Sequence, residues 1–207
     1  MTRGELVNAV KIQELSQSEL AEAASVLGRG MRDNPLHVRA FGLDPLAREQ
    51  ALRRVFDAVL RQQMSTSVVL SARSAGALVG VCGMARPGTC QPTMTEKLRL
   101  VPLMLAGAGV GSTIRLAAWI SRWTRHDPKR PHWHLGPVGV ERHLQGQGIG
   151  SELLREFCRR VDDEHAAAYL ETDKSENVTF YRRFGFRVTA EDEVVGVPNW
   201  FMTREPL

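Results

Sequence analysis

The sequence predicts a mixed α/β fold, and three observations carry that prediction. In the first half, two apolar runs, Ser67 to Ala72 and Ala77 to Ala85, flank Ser74-Ala75-Gly76 and read as a hairpin. In the second half, a strand, an amphipathic helix and another strand follow one another as a β-α-β unit. Joining that first strand to the helix is a stretch unusually rich in glycine, Gly146 to Gly150. The chain has 207 residues, 43% of them hydrophobic, which is enough for one substantial core, and a single domain over 1–207 is expected.

Taken in order, Val7 to Ile12 reads as a first strand. Ser16-Gln17-Ser18-Glu19 is a capping box, with hydroxyl and carboxylate satisfying free helix N–H groups. Leu20, Ala23, Ala24 and Leu27 follow at helical spacing. Asp44-Pro45 opens a second helix as cap and first-turn proline, with Leu52, Val55, Phe56, Val59 and Leu60 as its apolar stripe. After the hairpin, Thr113 to Trp123 reads as a helix with Ile114, Ala117, Ala118 and Trp119 inward. The stretch before it must contain breaks, given Pro92, Pro102, Gly107, Gly109 and Gly111. Trp133 to Val140 is a strand with a bulge near Gly136-Pro137. Gly148 to His165 is a helix that turns Leu153, Leu154, Phe157 and Val161 inward and Glu152, Arg155, Glu156, Arg159 and Asp162 to water. Ala167 to Glu171 is a short strand, Ser175 to Phe184 a short helix ended by Gly185, and Phe186 to Thr189 and Trp200 to Thr203 are closing strands.

Composition removes several function classes. The net charge of +4 is mild, and the basic residues are dispersed; the clusters Arg122 to Arg130 and Arg182-Arg183 are short and mixed, so no nucleic-acid footprint is expected. Met1 to Val10 lacks the apolar centre of a signal peptide, and the most apolar stretch, Val101 to Val110, is too short to span a bilayer, so no membrane role is expected. Cys82, Cys90 and Cys158 show no metal-ligand spacing and no pairing pattern. An odd number of thiols suits a reducing cytoplasm, and no metal is expected.

The segment Val138-Gly139-Val140-Glu141-Arg142-His143-Leu144-Gln145-Gly146-Gln147-Gly148-Ile149-Gly150 carries the chemistry. The first N–H groups of a helix lack internal acceptors, the helix dipole adds positive charge there, and glycines admit close approach of phosphate oxygens. The loop lacks the Gly-Lys-Ser/Thr of a Walker loop, and its glycines do not have Rossmann spacing. It resembles the pyrophosphate loop of the GNAT acetyltransferase superfamily, Arg/Gln-x-x-Gly-x-Gly/Ala, through Gln145, Gly148 and Gly150. A second motif agrees: Leu170-Glu171-Thr172-Asp173, then Asn177, Phe180-Tyr181 and Phe184-Gly185-Phe186. The resemblance is best from Trp133 to Arg204. There the chain looks most like the puromycin-acetyltransferase-like branch, including Trp200-x-Met202-Thr203-Arg204. Arg142 departs from the family, where many relatives carry proline.

The resemblance implies the GNAT fold: a central, mostly antiparallel sheet with one splayed parallel strand pair and helices on both faces. It implies acetyl-CoA as co-substrate, with the backbone of Val138, Gly139 and Val140 pairing with the pantetheine arm. The N–H groups of Gln145, Gly146, Gln147, Gly148, Ile149, Gly150 and Ser151 would hold the pyrophosphate, Asn177 would contact the pantetheine, and Tyr181 would sit near the thioester sulfur. The expected reaction is direct attack by a primary amine of a small molecule in a ternary complex. A protein lysine or N-terminal acetyltransferase, and a non-catalytic acetyl-CoA-binding module, are the alternatives. An amine must be neutral to attack, so a base or water chain must take its proton. His134 and Glu171 are the side-chain candidates, Glu141 and Asp173 weaker ones, and Tyr181 can donate to the departing thiolate. The oligomeric state is open, a homodimer included.

Overall fold

The computed structural model describes residues 10–90 and 94–207. Strand β1 (Lys11–Glu14) leads through a 3-10 turn at Gln17–Glu19 into α1 (Leu20–Met31). Residues 7–9 of the expected first strand lie outside the described residues, and the strand runs on to Glu14. The capping box forms at the 3-10 turn, where Ser16 N–H donates to Glu19 Oε2 at 2.8 Å. A short helix that the sequence reading did not include, α2 (Pro35–Phe41), follows Asn34. Then α3 (Pro45–Thr66) begins where Asp44 Oδ1 accepts the N–H groups of Leu46 and Ala47 at 2.9 and 3.2 Å.

Strands β2 (Val68–Ser74) and β3 (Ala77–Ala85) form the expected antiparallel hairpin. Its two linking residues, Ala75 and Gly76, both have positive φ (48° and 84°), the backbone a two-residue hairpin turn demands. Helix α4 (Met94–His126) is broken at Gly109, whose φ of 76° and ψ of 167° are not helical. Its inward face shares Trp119 with the expected one and differs in the rest. Ser112, Leu116 and Trp119 are buried, whereas Ile114 is 64% exposed and Ala117 and Ala118 face water. The spacing 112, 116, 119, 123 is as helical as the expected set, and packing beside Trp123 and α2 selected between the two registers.

The remaining elements are β4 (Trp133–Val140), α5 (Ile149–Asp163), β5 (Ala168–Thr172), α6 (Ser175–Arg182), β6 (Arg187–Val194) and β7 (Val197–Arg204). The expected inward set of α5 is buried. The closing strands are longer than their apolar cores, because β6 alternates exposed and covered residues and its polar half was not read as strand.

Seven strands form one sheet in the order β1-β2-β3-β4-β5-β7-β6, antiparallel throughout except for β4 and β5. Helices cover both faces. On one side α5 and α6 pack on Leu70, Ala72, Cys82, Met84 and Leu170. On the other, α1 and α3 pack on Val69 and Val81, and α2 and α4 pack on Tyr169 and Phe201. Successive strand residues such as Leu70 and Val69 therefore enter opposite cores, as the period of two requires. Among the described residues, no helix is long and apolar enough to cross a membrane.

The closing motif acts in packing. Arg204, 6% exposed, donates to Asp162 at 2.6 and 2.8 Å and to the Phe184 carbonyl at 2.9 Å, tying β7 to α5 and to the end of α6. Replacing Arg204 by leucine strands the Asp162 carboxylate and the carbonyl. A loss of about 2 kcal/mol is expected, read as a lower urea midpoint at neutral pH.

Candidate active site

The site is set by where β4 and β5 part. They pair at Trp133↔Ala168 and His134↔Tyr169, and no further pair follows. One residue later β4 carries an extra residue against β3, since Cys82 faces Val138 while Met84 faces Leu135. This is the bulge expected at Gly136-Pro137, a peptide bond that is cis. Beyond the bulge β4 is paired on one edge only. Glu141 N–H donates to Val79 O on β3 at 2.9 Å, so by strand alternation Gly139 also addresses β3. Val138 and Val140 direct their backbone groups to the open edge. Such groups need partners, and this is the edge on which the resemblance seats the pantetheine.

Past β4, a 3-10 turn at Arg142–Leu144 leads into the glycine loop. Gly146 and Gly148 have φ of 75° and 97°, a region that disfavours residues with a Cβ. Gly148 is the N-cap of α5, so the following N–H groups point out of the helix end. A Cβ on Gly150 would lie 3.7 Å from Phe180 Cζ and 3.9 Å from Val140 Cγ2, ordinary contact distances that agree with alanine being an allowed residue here. The same proximity shows that α6 abuts the loop, so the two sequence motifs meet in space. Ile149, by contrast, is buried in the core, and only its backbone faces the loop.

The Gln145 side chain is a tether. Its Nε2 donates to Gly30 O on α1 at 2.8 Å and to Val140 O at 3.1 Å, so the Val140 carbonyl already has an internal donor. Gln147 turns back to the His143 carbonyl at 3.2 Å. Helix α1 approaches β4 closely here, since a Cβ on Gly30 would meet Val140 O at 2.4 Å. Glu141 is fixed nearby by Arg29, whose Nε lies 3.0 and 3.1 Å from its two oxygens.

Asn177 Nδ2 donates to Thr172 Oγ1 at 3.2 Å, holding the start of α6 to the end of β5. Tyr181 is buried among Phe180, Phe186 and the α5 core. Burial, with Cys82 and Asp173 nearby, raises its phenol well above the ordinary value, so it is a neutral O–H donor. Asp173 accepts the Leu36 N–H at 2.7 Å, where it caps α2. Glu141 and Asp173 thus both hold structure together. Trp133, 2% exposed, is a core residue whose Nε1 donates to Glu164 at 2.9 Å.

His134 and Glu171 meet at the fork itself. His134 Nε2 lies 2.8 Å from Glu171 Oε2, and the Glu171 side chain is 3% exposed. Burial opposes a charge on this imidazole, but Glu171 and the neighbouring Cys90 outweigh it and push its pKa up to about 10. A ring held in that state is a poor proton acceptor at neutral pH.

The sequence shows no metal-ligand spacing among its cysteines, yet the fold gathers ligand-type side chains. A His/Cys/Asp cluster is present: ligand-type atoms of Cys90, Asp127, His132 and His134 all lie within 4.8 Å of one another. Its members come from the segment after β3, the end of α4 and the start of β4, so no short spacing marks it. One signal was legible: His132 and His134 are two apart at a strand start and so share a face.

An open strand edge running into a helix N-terminus is an arrangement that can take an extended arm ending in phosphates. The chain belongs to the acetyltransferase (GNAT) family, whose model matches residues 41–186. It is an acetyltransferase, and acetyl-CoA is the donor that membership assigns to it. Solved structures share the fold. A Corynebacterium glutamicum protein, described as histone acetyltransferase HPA2 and related acetyltransferase, superposes with a TM-score of 0.75 at 23% identity, over 96% of this chain and 97% of that one. A Brucella melitensis GNAT acetyltransferase in complex with acetyl-CoA gives 0.53 at 18%, over 95% and 87%. An agmatine N-acetyltransferase gives 0.60 at 15%, over 95% and 99%.

Because Gln145 holds the loop to α1 and β4, Gln145→Ala should raise the Kd for acetyl-CoA by about tenfold while changing Tm little. The loss corresponds to one or two hydrogen bonds that order the loop. Isothermal titration beside a thermal melt checks both halves of that expectation.

Proposed function

We propose that this enzyme transfers the acetyl group of acetyl-CoA to a primary amine of a small cationic molecule, by direct attack in a ternary complex. The observation that carries this reading is the buried Glu171–His134 pair at the fork of β4 and β5. A protonated amine must lose a proton before it attacks, and the pair offers a carboxylate for that proton, directly or through water. His134 keeps its own proton and orients Glu171. Resemblance to the puromycin-acetyltransferase-like branch supports a small amine over a protein acceptor. The acceptor itself is set by loops and side chains that vary within one fold.

In this reading the activated acetyl group comes with the cofactor, and the chain's residues position it and move protons. The backbone of Val138 and Val140 holds the pantetheine, while Gly139, expected to join them, is paired with β3. The N–H groups of Gly146 to Gly150 hold the pyrophosphate, with Gly146 and Gly148 giving the backbone its turn; those of Gln145 and Ser151 donate to Arg142 O and Gly148 O instead. Asn177 lies beside the pantetheine, and the neutral Tyr181 hydroxyl donates to the leaving thiolate. Three free thiols, Cys82, Cys90 and Cys158, support a reducing cytoplasm as the compartment.

Tyr181→Phe should lower kcat by about 10- to 100-fold with the acetyl-CoA Kd nearly unchanged, because the lost interaction belongs to the transition state. Full turnover in that variant would make Tyr181 a packing residue.

The acceptor class is tested by competition among aminonucleosides, amino sugars, polyamines and peptides at matched concentration. Small cationic amines are expected to be acetylated. Acetylation of peptides alone would replace this reading with a protein acetyltransferase.

A further inference from the structure

We propose that Cys90, Asp127, His132 and His134 bind one zinc-type divalent metal ion. The inference is independent of the cofactor and acceptor assignments. The donor set, two imidazoles, a thiolate and a carboxylate, is one that borderline-soft Zn²⁺ takes in four-coordinate sites. The spacing of the donors fits. His132 Nε2 lies 3.2 Å from Asp127 Oδ1, His134 Nδ1 lies 4.0 Å from the same oxygen, and Cys90 Sγ lies 3.6 Å from Asp127 Oδ2. Bonds of 2.0–2.3 Å to a tetrahedral centre give donor–donor edges of about 3.3–3.7 Å, so donors that all lie within 4.8 Å of one another close on an ion by shifts of about an ångström or less.

Two further observations point to a ligand. His132 is 5% exposed, and its Nε2 forms no hydrogen bond; nor does His134 Nδ1. Unpartnered buried polar atoms are rare, and here two imidazole nitrogens belong to one cluster of ligand-type atoms. The opposite ring nitrogens are both engaged. His132 Nδ1 faces the Arg130 carbonyl at 2.9 Å, and His134 Nε2 faces Glu171 at 2.8 Å. A carbonyl and a carboxylate are the outer partners that fix a metal-bound histidine, directing the remaining lone pair at the ion. Both inward nitrogens have that arrangement.

Four protein donors leave no open position, so the ion is structural. Binding replaces the Cys90 thiol proton and the protons on His132 Nε2 and His134 Nδ1 by bonds to the metal and releases them to solvent, while His134 Nε2–H stays on Glu171. Cys90 and Asp127 stand 37 positions apart, and the ion joins them to the first residues of β4. It thereby fixes the region between β3 and β4 to the strand that opens at the fork.

The test uses the full chain, freed of any affinity tag and stripped with chelator, titrated with Co²⁺ and then Zn²⁺. The expected result is one Co²⁺ per chain, with visible absorption of a tetrahedral ion and a near-ultraviolet thiolate-to-cobalt band. Zn²⁺ should displace it and raise Tm. Cys90→Ser should remove the thiolate band and weaken binding by about a hundredfold or more, while Cys158→Ser keeps both. Wild-type protein that takes up no stoichiometric Co²⁺ overturns the proposal, as does a thiolate band that survives Cys90→Ser. Because the first of these outcomes needs no variant, a misfolded mutant cannot shelter the idea.

Discussion

The structure depends on the parting of β4 from β5 after two residue pairs. A parallel pair that continued would satisfy the backbone of Val138 and Val140 internally and leave no edge for a ligand. The extra residue at Gly136-Pro137 shifts β4 relative to β3, and from there the strand keeps one partner instead of two. The His134–Glu171 hydrogen bond spans the last point of contact. It joins the strands where their ladder ends, with a buried carboxylate whose desolvation is offset by that bond.

The surrounding elements preserve the open edge. Gln145 ties the glycine loop to the end of α1, and Arg29 ties the same helix to Glu141, so the turn between β4 and α5 is anchored on both sides. The absence of a side chain at Gly30 lets α1 lie against Val140. On the opposite face, α6 leans Phe180 toward Gly150 and buries Tyr181 as a neutral hydroxyl. These contacts cost the site flexibility and give it preorganisation, which positions donors before a ligand arrives.

The family resemblance was legible because its signals are local. Gln145, Gly148 and Gly150 lie in one turn, and Asn177 and Tyr181 lie on one short helix at fixed offsets. The hairpin was legible for a similar reason, since Ser74-Ala75-Gly76 supplies its own turn geometry. The inward face of α4 matches expectation at Trp119 alone: alternate helical registers carry comparable apolar residues, and only partners on other elements, such as Leu36, choose between them.

By itself, the sequence determined the mixed α/β order, the glycine loop before a helix, and the two motifs whose family resemblance implied the reaction. Each is written in spacing along one or two adjacent elements, where backbone geometry converts sequence offset directly into direction. The tertiary structure alone decided the rest. It turned Asp173 into a cap for α2, gave Glu141 to Arg29, and made Arg204 a bridge between β7, α5 and α6. It also gathered Cys90, Asp127, His132 and His134 from three separate segments into one cluster. Those pairings join residues tens of positions apart. Their distances depend on how sheet and helices pack, which sequence spacing does not encode.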